Sequence, residues 1–187
     1  ILKTATLGYD GKGQKTIESA PQVLTVWNEF KRVPCVLEKR ITLAVEVSVL
    51  VTRNARGETK VFPIQENQHV GGILDLTIVP ARIDEALRAR ATSLAEKVVI
   101  ALDYVGVLCI EMFVSQAGEL LLNEIAPRPH NSGHYTIEAC ETSQFAQQVR
   151  AVVNAPLGET RLLTPTVMVN VIGDCWSKGE PAWADVL

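Results

Sequence analysis

Apolar and polar positions in this chain repeat with two periods, about 2 and about 3.6 residues, and the changes of period mark out its elements. Cys35 to Lys39 and Ala44 to Val51 are β-rich runs, the second nearly all apolar except for Glu46. Glu58 to Pro63 and Ile73 to Val79 predict two more strands, joined by the polar stretch Gln65 to Gly72. Helical spacing first occurs after Ser19, where Val23, Val26, Trp27 and Phe30 share a face and Pro21 lies in the first turn. Asp84 predicts the cap of a longer helix with the stripe Leu87, Ala91, Leu94, Ala95, Val98 and Leu102. Tyr135 to Cys140 and Ser143 to Val153 predict short helices, and Pro165 to Gly173 a last strand. This order predicts an α+β fold with mainly antiparallel pairing, in two lobes over residues 1–54 and 55–172.

One pair of strands carries an anomaly. Val105 to Ser115 is apolar except for Glu111, and a charge in such a run needs a partner or a metal. After Gln116-Ala117-Gly118 the apolar run Leu120 to Leu122 leads into Asn123 and Glu124. A two-residue turn at Ala117-Gly118 pairs Gln116 with Glu119 and, counting back, Glu111 with Glu124 on one sheet face. A slip of one residue would oppose Glu111 to Asn123 instead. Two carboxylates about 5 Å apart repel by about 3 kcal/mol at an effective dielectric near 20. Mg²⁺ or Mn²⁺ would offset that repulsion, and so would an arginine such as Arg128.

The residues that follow concentrate chemistry. Asn123-Glu124-Ile125-Ala126-Pro127-Arg128-Pro129-His130-Asn131-Ser132-Gly133-His134 places a carboxylate, an arginine, two histidines, amides and a hydroxyl directly after a strand. Pro127 and Pro129 disfavour both helix and ladder, so these side chains sit on a stiffened loop. At the other end, Gly8-Tyr9-Asp10-Gly11-Lys12-Gly13-Gln14 forms a glycine-rich turn near Lys3, suited to phosphate oxygens, although such a turn is more often a plain hairpin. It lacks the Walker A spacing. Glu46 suits a ribose hydroxyl or a solvent-facing edge, and His69 a ligand contact or a structural role.

Composition narrows the classes. With 187 residues, 47% hydrophobic, the chain can bury a core, and a net charge of −3 without a basic run disfavours nucleic acid as a partner. Cys35, Cys109, Cys140 and Cys175 have no metal-binding spacing and read as reduced thiols. No apolar run reaches about 18 residues, which predicts no membrane span and a cytoplasmic location. The chain opens inside a strand without Met and is expected to be a fragment of a longer enzyme.

Lys3-Thr4, the loop from Gly8 to Gln14, Asn67-Gln68-His69 and above all Asn123 to His134 resemble the 5-(carboxyamino)imidazole ribonucleotide synthases, ATP-grasp enzymes of purine biosynthesis. The resemblance implies ATP-dependent carboxylation of aminoimidazole ribonucleotide by bicarbonate through carboxyphosphate, with ATP and Mg²⁺ as cofactors and a homodimer for the full-length enzyme. It implies phosphate binding by Lys3 and by the loop Gly8, Tyr9, Asp10, Gly11, Lys12, Gly13 and Gln14. It further implies an adenine hinge at Glu38 and Lys39, ribose at Glu46, nucleotide-side contacts at His69 and Asn123, and metal on Glu111 and Glu124. Arg128, His130 and Asn131 would hold the reacting anion. Such enzymes also have an amino-terminal domain and a small carboxy-terminal domain, of which residues 173–187 would be the start. Two alternatives remain: another ATP-grasp carboxylate-amine ligase, which should lack His130 to His134, or a non-catalytic nucleotide-binding module.

Overall fold

The computed structural model describes residues 1–8, 12–177, 179–180 and 182–185. The first unit is a sheet of three short strands, β1 (Leu2–Thr4), β2 (Gln14–Lys15) and, after helix α1 (Ala20–Glu29), β3 (Cys35–Leu37), in the order β2-β1-β3. The β1–β2 turn is closed by Thr4 N–H donating to the Gly13 carbonyl at 2.8 Å. Gly13 has φ +72°, and a Cβ there would lie 2.7 Å from Thr4 Oγ1, so the position requires glycine on both counts. Pro21 sits in the first turn of α1 as expected, and of the apolar face Val26 is buried.

The larger unit contains β4 (Leu43–Arg53), β5 (Thr59–Val61), β6 (Gln65–Val70), β7 (Ile73–Val79), α2 (Glu85–Ala101), β8 (Gly106–Ser115), β9 (Leu120–Ala126), α3 (Thr136–Ala139), α4 (Gln144–Val152) and β10 (Thr166–Val169). Its seven strands run β10-β7-β6-β4-β8-β9, with β5 also on β4, and every pairing is antiparallel among the described residues. The expected lobe boundary at residue 54 is therefore misplaced. β4 is hydrogen-bonded to β5, β6 and β8 at the centre of the large sheet, so the division between the sheets falls between Leu37 and Leu43. Chain order placed β4 with the strands before it; ladder pairing placed it with those after.

A second correction concerns Gln65 to Gly72. Instead of a connecting loop, Gln65–Val70 is strand β6, and only Gly71 and Gly72, both at positive φ, make the turn. Its buried polar side chains are paired rather than solvated: Glu66 bonds Arg82, and Asn67 bonds Ser48 and Thr77. A strand whose buried residues are satisfied by hydrogen bonds has no apolar signature to read.

The two faces of β4 and β8 differ. Val47, Val49, Val51, Leu108, Ile110, Met112 and Val114 pack on α2, whose buried stripe is Leu87, Ala91, Ala95 and Val99. Val99 replaces the expected Leu102, which caps the helix end and is 56% exposed. Asp84 caps the other end, accepting from Leu87 N–H at 2.7 Å. On the opposite face Leu50, Val107, Cys109 and Ala126 pack beneath Tyr135, Ala139 and Cys140. Beyond this second apolar patch the same face is polar.

Candidate functional site

The β8–β9 hairpin pairs Glu111 with Glu124, as expected, but by a different route. Ser115 N–H donates to the Glu119 carbonyl, so the loop has three residues, Gln116-Ala117-Gly118, with Gly118 at φ +77°. That register, continued regularly, would oppose Glu111 to Asn123. A β-bulge intervenes: Met112 pairs with Leu122 and Glu111 with Glu124, leaving Asn123 as the extra residue. The bulge thus cancels the shift introduced at the turn and returns both carboxylates to one face.

Glu111 is mostly buried, its side chain 20% exposed, whereas Glu124 is exposed. Burial, reinforced by the Glu124 charge, pushes the Glu111 carboxyl above its ordinary range. Neighbouring strands bring Glu46 and His69 to the same region, with His69 Nδ1 2.7 Å from Glu46 Oε2. The bond from Glu46 holds the His69 imidazole above its usual pKa. These two residues, expected to touch nucleotide separately, contact each other.

From the loop, His130 Nε2 reaches Glu111 Oε1 at 3.2 Å. Burial and the Arg128 guanidinium push the His130 pKa down to about 4, so this contact sets a neutral ring beside the carboxyl group and is not an ion pair. The other ring nitrogen, Nδ1, lies 2.9 Å from Ser132 Oγ and accepts from Ser132 N–H at 3.3 Å. Gln144, fully buried at the start of α4, clamps the His130 backbone, donating to its carbonyl at 2.7 Å and accepting its N–H at 2.8 Å. A Cβ on Gly133 would lie 2.6 Å from both Gln144 Oε1 and Leu50 Cδ1, so this clamp needs glycine at 133. Tyr104 OH ties down the Pro127 carbonyl at 2.8 Å.

Arg128 is exposed and donates to the Pro129 carbonyl at 3.0 Å. Among the described residues it forms no ion pair with Glu124, so the alternative in which it neutralises that carboxylate is not the arrangement seen. The Asn131 side-chain oxygen is buried without a hydrogen-bond partner, an unfilled acceptor beside the His130 clamp.

In the small sheet, Lys3 Nζ is 2.6 Å from Glu38 Oε2, joining the expected phosphate and adenine residues in one ion pair. Lys39 follows, exposed, in the connection to β4. Gly8, Lys12, Gly13 and Gln14 lie at the β1–β2 turn, while Tyr9, Asp10 and Gly11 lie outside the described residues.

The ATP-grasp domain family matches residues 1–145. The chain belongs to the ATP-grasp family. It is 48% identical over 174 residues to an N5-carboxyaminoimidazole ribonucleotide synthase of Bacillus subtilis, covering 93% of this chain and 46% of that protein. A crystal structure of an N5-carboxyaminoimidazole ribonucleotide synthetase with ADP is 53% identical, TM-score 0.87, over 92% of this chain and 46% of the other. An Aspergillus clavatus N5-carboxyaminoimidazole synthase, crystallised with ADP and 5-aminoimidazole ribonucleotide, is 33% identical, TM-score 0.83, over 92% and 45%. The chain spans about half the length of the relatives it matches.

In this ATP-grasp chain the opposed carboxylates fit a hard divalent cation. Glu111 and Glu124 are an all-oxygen donor pair whose joint ionisation is unfavourable without added positive charge. Among the described residues no group of three or more His, Cys, Asp and Glu side chains is arranged to hold a metal. Two carboxylates rather than a closed cage suit Mg²⁺, which keeps its remaining positions for water and phosphate oxygens. Ser48, Thr77 and Gln144 had no recognisable signal in the sequence, since isolated polar residues in strands and at helix starts usually face solvent. Their burial is what marks them.

Proposed function

We propose that this chain carries the nucleotide- and metal-binding part of an enzyme that carboxylates 5-aminoimidazole ribonucleotide. Bicarbonate takes the γ-phosphoryl group of ATP to give carboxyphosphate and ADP. The exocyclic amine of the ribonucleotide then attacks the carboxyl carbon, releasing phosphate and forming N5-carboxyaminoimidazole ribonucleotide. The observation that carries this reading is the bulge-restored opposition of Glu111 and Glu124 beside a loop holding Arg128, His130 and Asn131. The names of the relatives and the ligands of the Aspergillus enzyme support the substrate class.

Glu111 and Glu124 would hold Mg²⁺, which when bound supplies charge neutralisation at the transferring phosphoryl group. Lys3 and the loop from Gly8 to Gln14 bind phosphates, Glu38 and Lys39 line the adenine site, and Glu46 with His69 meets the ribose. Asn123, the extra residue of the bulge, contributes a nucleotide-side contact. Arg128 offers a planar fork of donors to the reacting anion. Neutral His130 orients and donates; with its pKa near 4 it is not a proton donor of the imidazolium type at neutral pH. On the resemblance alone, residues from 173 onward are read as the start of a further domain and the full-length enzyme as a cytoplasmic homodimer; no described helix is long and apolar enough to cross a membrane.

In the full-length protein, ADP release should require bicarbonate and aminoimidazole ribonucleotide together. Release that depends on a different carboxylate or amine would select another ATP-grasp ligase, and binding of ATP without turnover would select a non-catalytic module. Arg128→Lys keeps the charge but loses the fork. It should lower the jointly dependent rate about a hundredfold, the scale of a lost transition-state donor.

A further inference from the structure

A chain of buried polar side chains runs through the large sheet to the candidate site. Thr77 Oγ1 donates to Asn67 Oδ1 at 3.2 Å, and Asn67 Nδ2 donates to Ser48 Oγ at 2.7 Å. Ser48 Oγ donates to Ser132 Oγ at 2.9 Å, and Ser132 Oγ lies 2.9 Å from His130 Nδ1. His130 Nε2 ends the chain at Glu111. Thr77, Ser48 and Ser132 are completely buried and Asn67 nearly so. Four strands and the loop contribute, since Thr77 opposes Asn67, Asn67 opposes Glu46, and Ser48 opposes Glu111 in the ladders.

The direction of this chain is determined by its two ends. The Asn67 amide has distinct donor and acceptor atoms, and its donor side faces Ser48. Ser48 accepts from Asn67 and donates to Ser132, and Ser132 in turn has its proton for His130 Nδ1 at 2.9 Å, a much shorter contact than Cys109 Sγ at 3.9 Å. The Ser132 backbone N–H also points at Nδ1, at 3.3 Å, and adds to the preference for an unprotonated Nδ1. A proton on Nε2 is also what a carboxylate at 3.2 Å demands. We propose that Thr77, Asn67, Ser48 and Ser132 are positioning residues that hold His130 as its Nε2–H tautomer, so that it donates to Glu111 and orients that carboxylate for metal.

The inference rests on the proposed metal role of Glu111, but half of its test does not. Selective ¹⁵N-histidine labelling of the metal-free full-length protein, with His130 assigned by a His130→Gln variant, should show unprotonated Nδ1 and protonated Nε2. Ser48→Ala removes the donor to Ser132 and frees its hydroxyl to accept, so His130 should become a mixture of tautomers. The same variant should weaken apparent Mg²⁺ affinity by about tenfold, the low end for a lost outer-shell partner. Excess Mg²⁺ should recover most of the rate, and the KM for aminoimidazole ribonucleotide should stay within about twofold. Thr77→Val should shift both readouts the same way by less, and Thr77→Ser should restore them. A folded Ser48→Ala protein with an unchanged tautomer, or with a lowered rate that Mg²⁺ does not recover, overturns the proposal. If Ser48→Ala does not fold, the Thr77→Val and Thr77→Ser pair decides on the same criteria. A tautomer shift in a protein that does not carboxylate aminoimidazole ribonucleotide would support the relay and sink the substrate assignment instead.

Discussion

Adjacent residues on the same two strands follow opposite rules of construction. Val47, Val49, Ile110 and Met112 point at α2 and are held by burial, whereas Glu46, Ser48 and Glu111 point the other way and are held by specific partners. The apolar face is redundant: its attraction is non-directional and scales with area, so no single atom defines it. The polar face is not. Its groups are held by directional bonds to particular partners, and Glu111 is mostly buried opposite Glu124 at a cost that the His69 and Arg128 charges only partly offset. The first face makes the fold stable; the second holds charge in an arrangement the folded protein alone disfavours, which is how binding sites commonly depart from stability optima.

The strongest test of this division removes one of the opposed charges. Glu111→Gln should lower substrate-dependent ATP turnover about a thousandfold, consistent with the several kcal/mol that metal charge contributes. The sign for stability is the reverse. A carboxyl whose folded pKa is raised binds its proton more tightly when folded, so its stability contribution is present at low pH and lost as pH rises through the folded pKa. At neutral pH, without Mg²⁺, Glu111→Gln should therefore stabilise the protein, read as a raised Tm. A lower Tm in the metal-free variant would show that Glu111 is compensated by groups other than a cation.

On the other face, Ile110→Ala should destabilise by about 2–5 kcal/mol through lost burial and the cavity left behind. Denaturant titration measures this, and turnover per folded molecule should stay within about threefold of the parent. A loss of turnover as large as that of Glu111→Gln would mean that the two faces are coupled rather than independent.

A smaller and graded effect comes from acid. His130 has a folded pKa near 4 against about 6.5 unfolded, so its contribution is present above pH 6.5 and lost as pH falls through 4. The upper bound is about 3 kcal/mol. His130→Gln should flatten stability between pH 6.5 and 4 relative to the parent, read as Tm across that range. His69, raised by Glu46, works in the opposite sense, losing its contribution as pH rises through its folded value.

Much of this was legible in the amino-acid order. The α2 cap at Asp84, the strands of the hairpin and the proline-braced loop all follow from local rules: capping, alternation, and the backbone limits of proline. The family resemblance rested on the same local stretches and agrees with the ATP-grasp match over residues 1–145. Tertiary structure alone decided three things. It put β4 in the large sheet, because ladder partners arrive from later in the chain. It made Gln65–Val70 a strand, because distant groups satisfy Glu66 and Asn67. And it aligned Glu111 with Glu124 by compensating a three-residue turn with a bulge at Asn123, since register is a property of two strands together and is written in neither one.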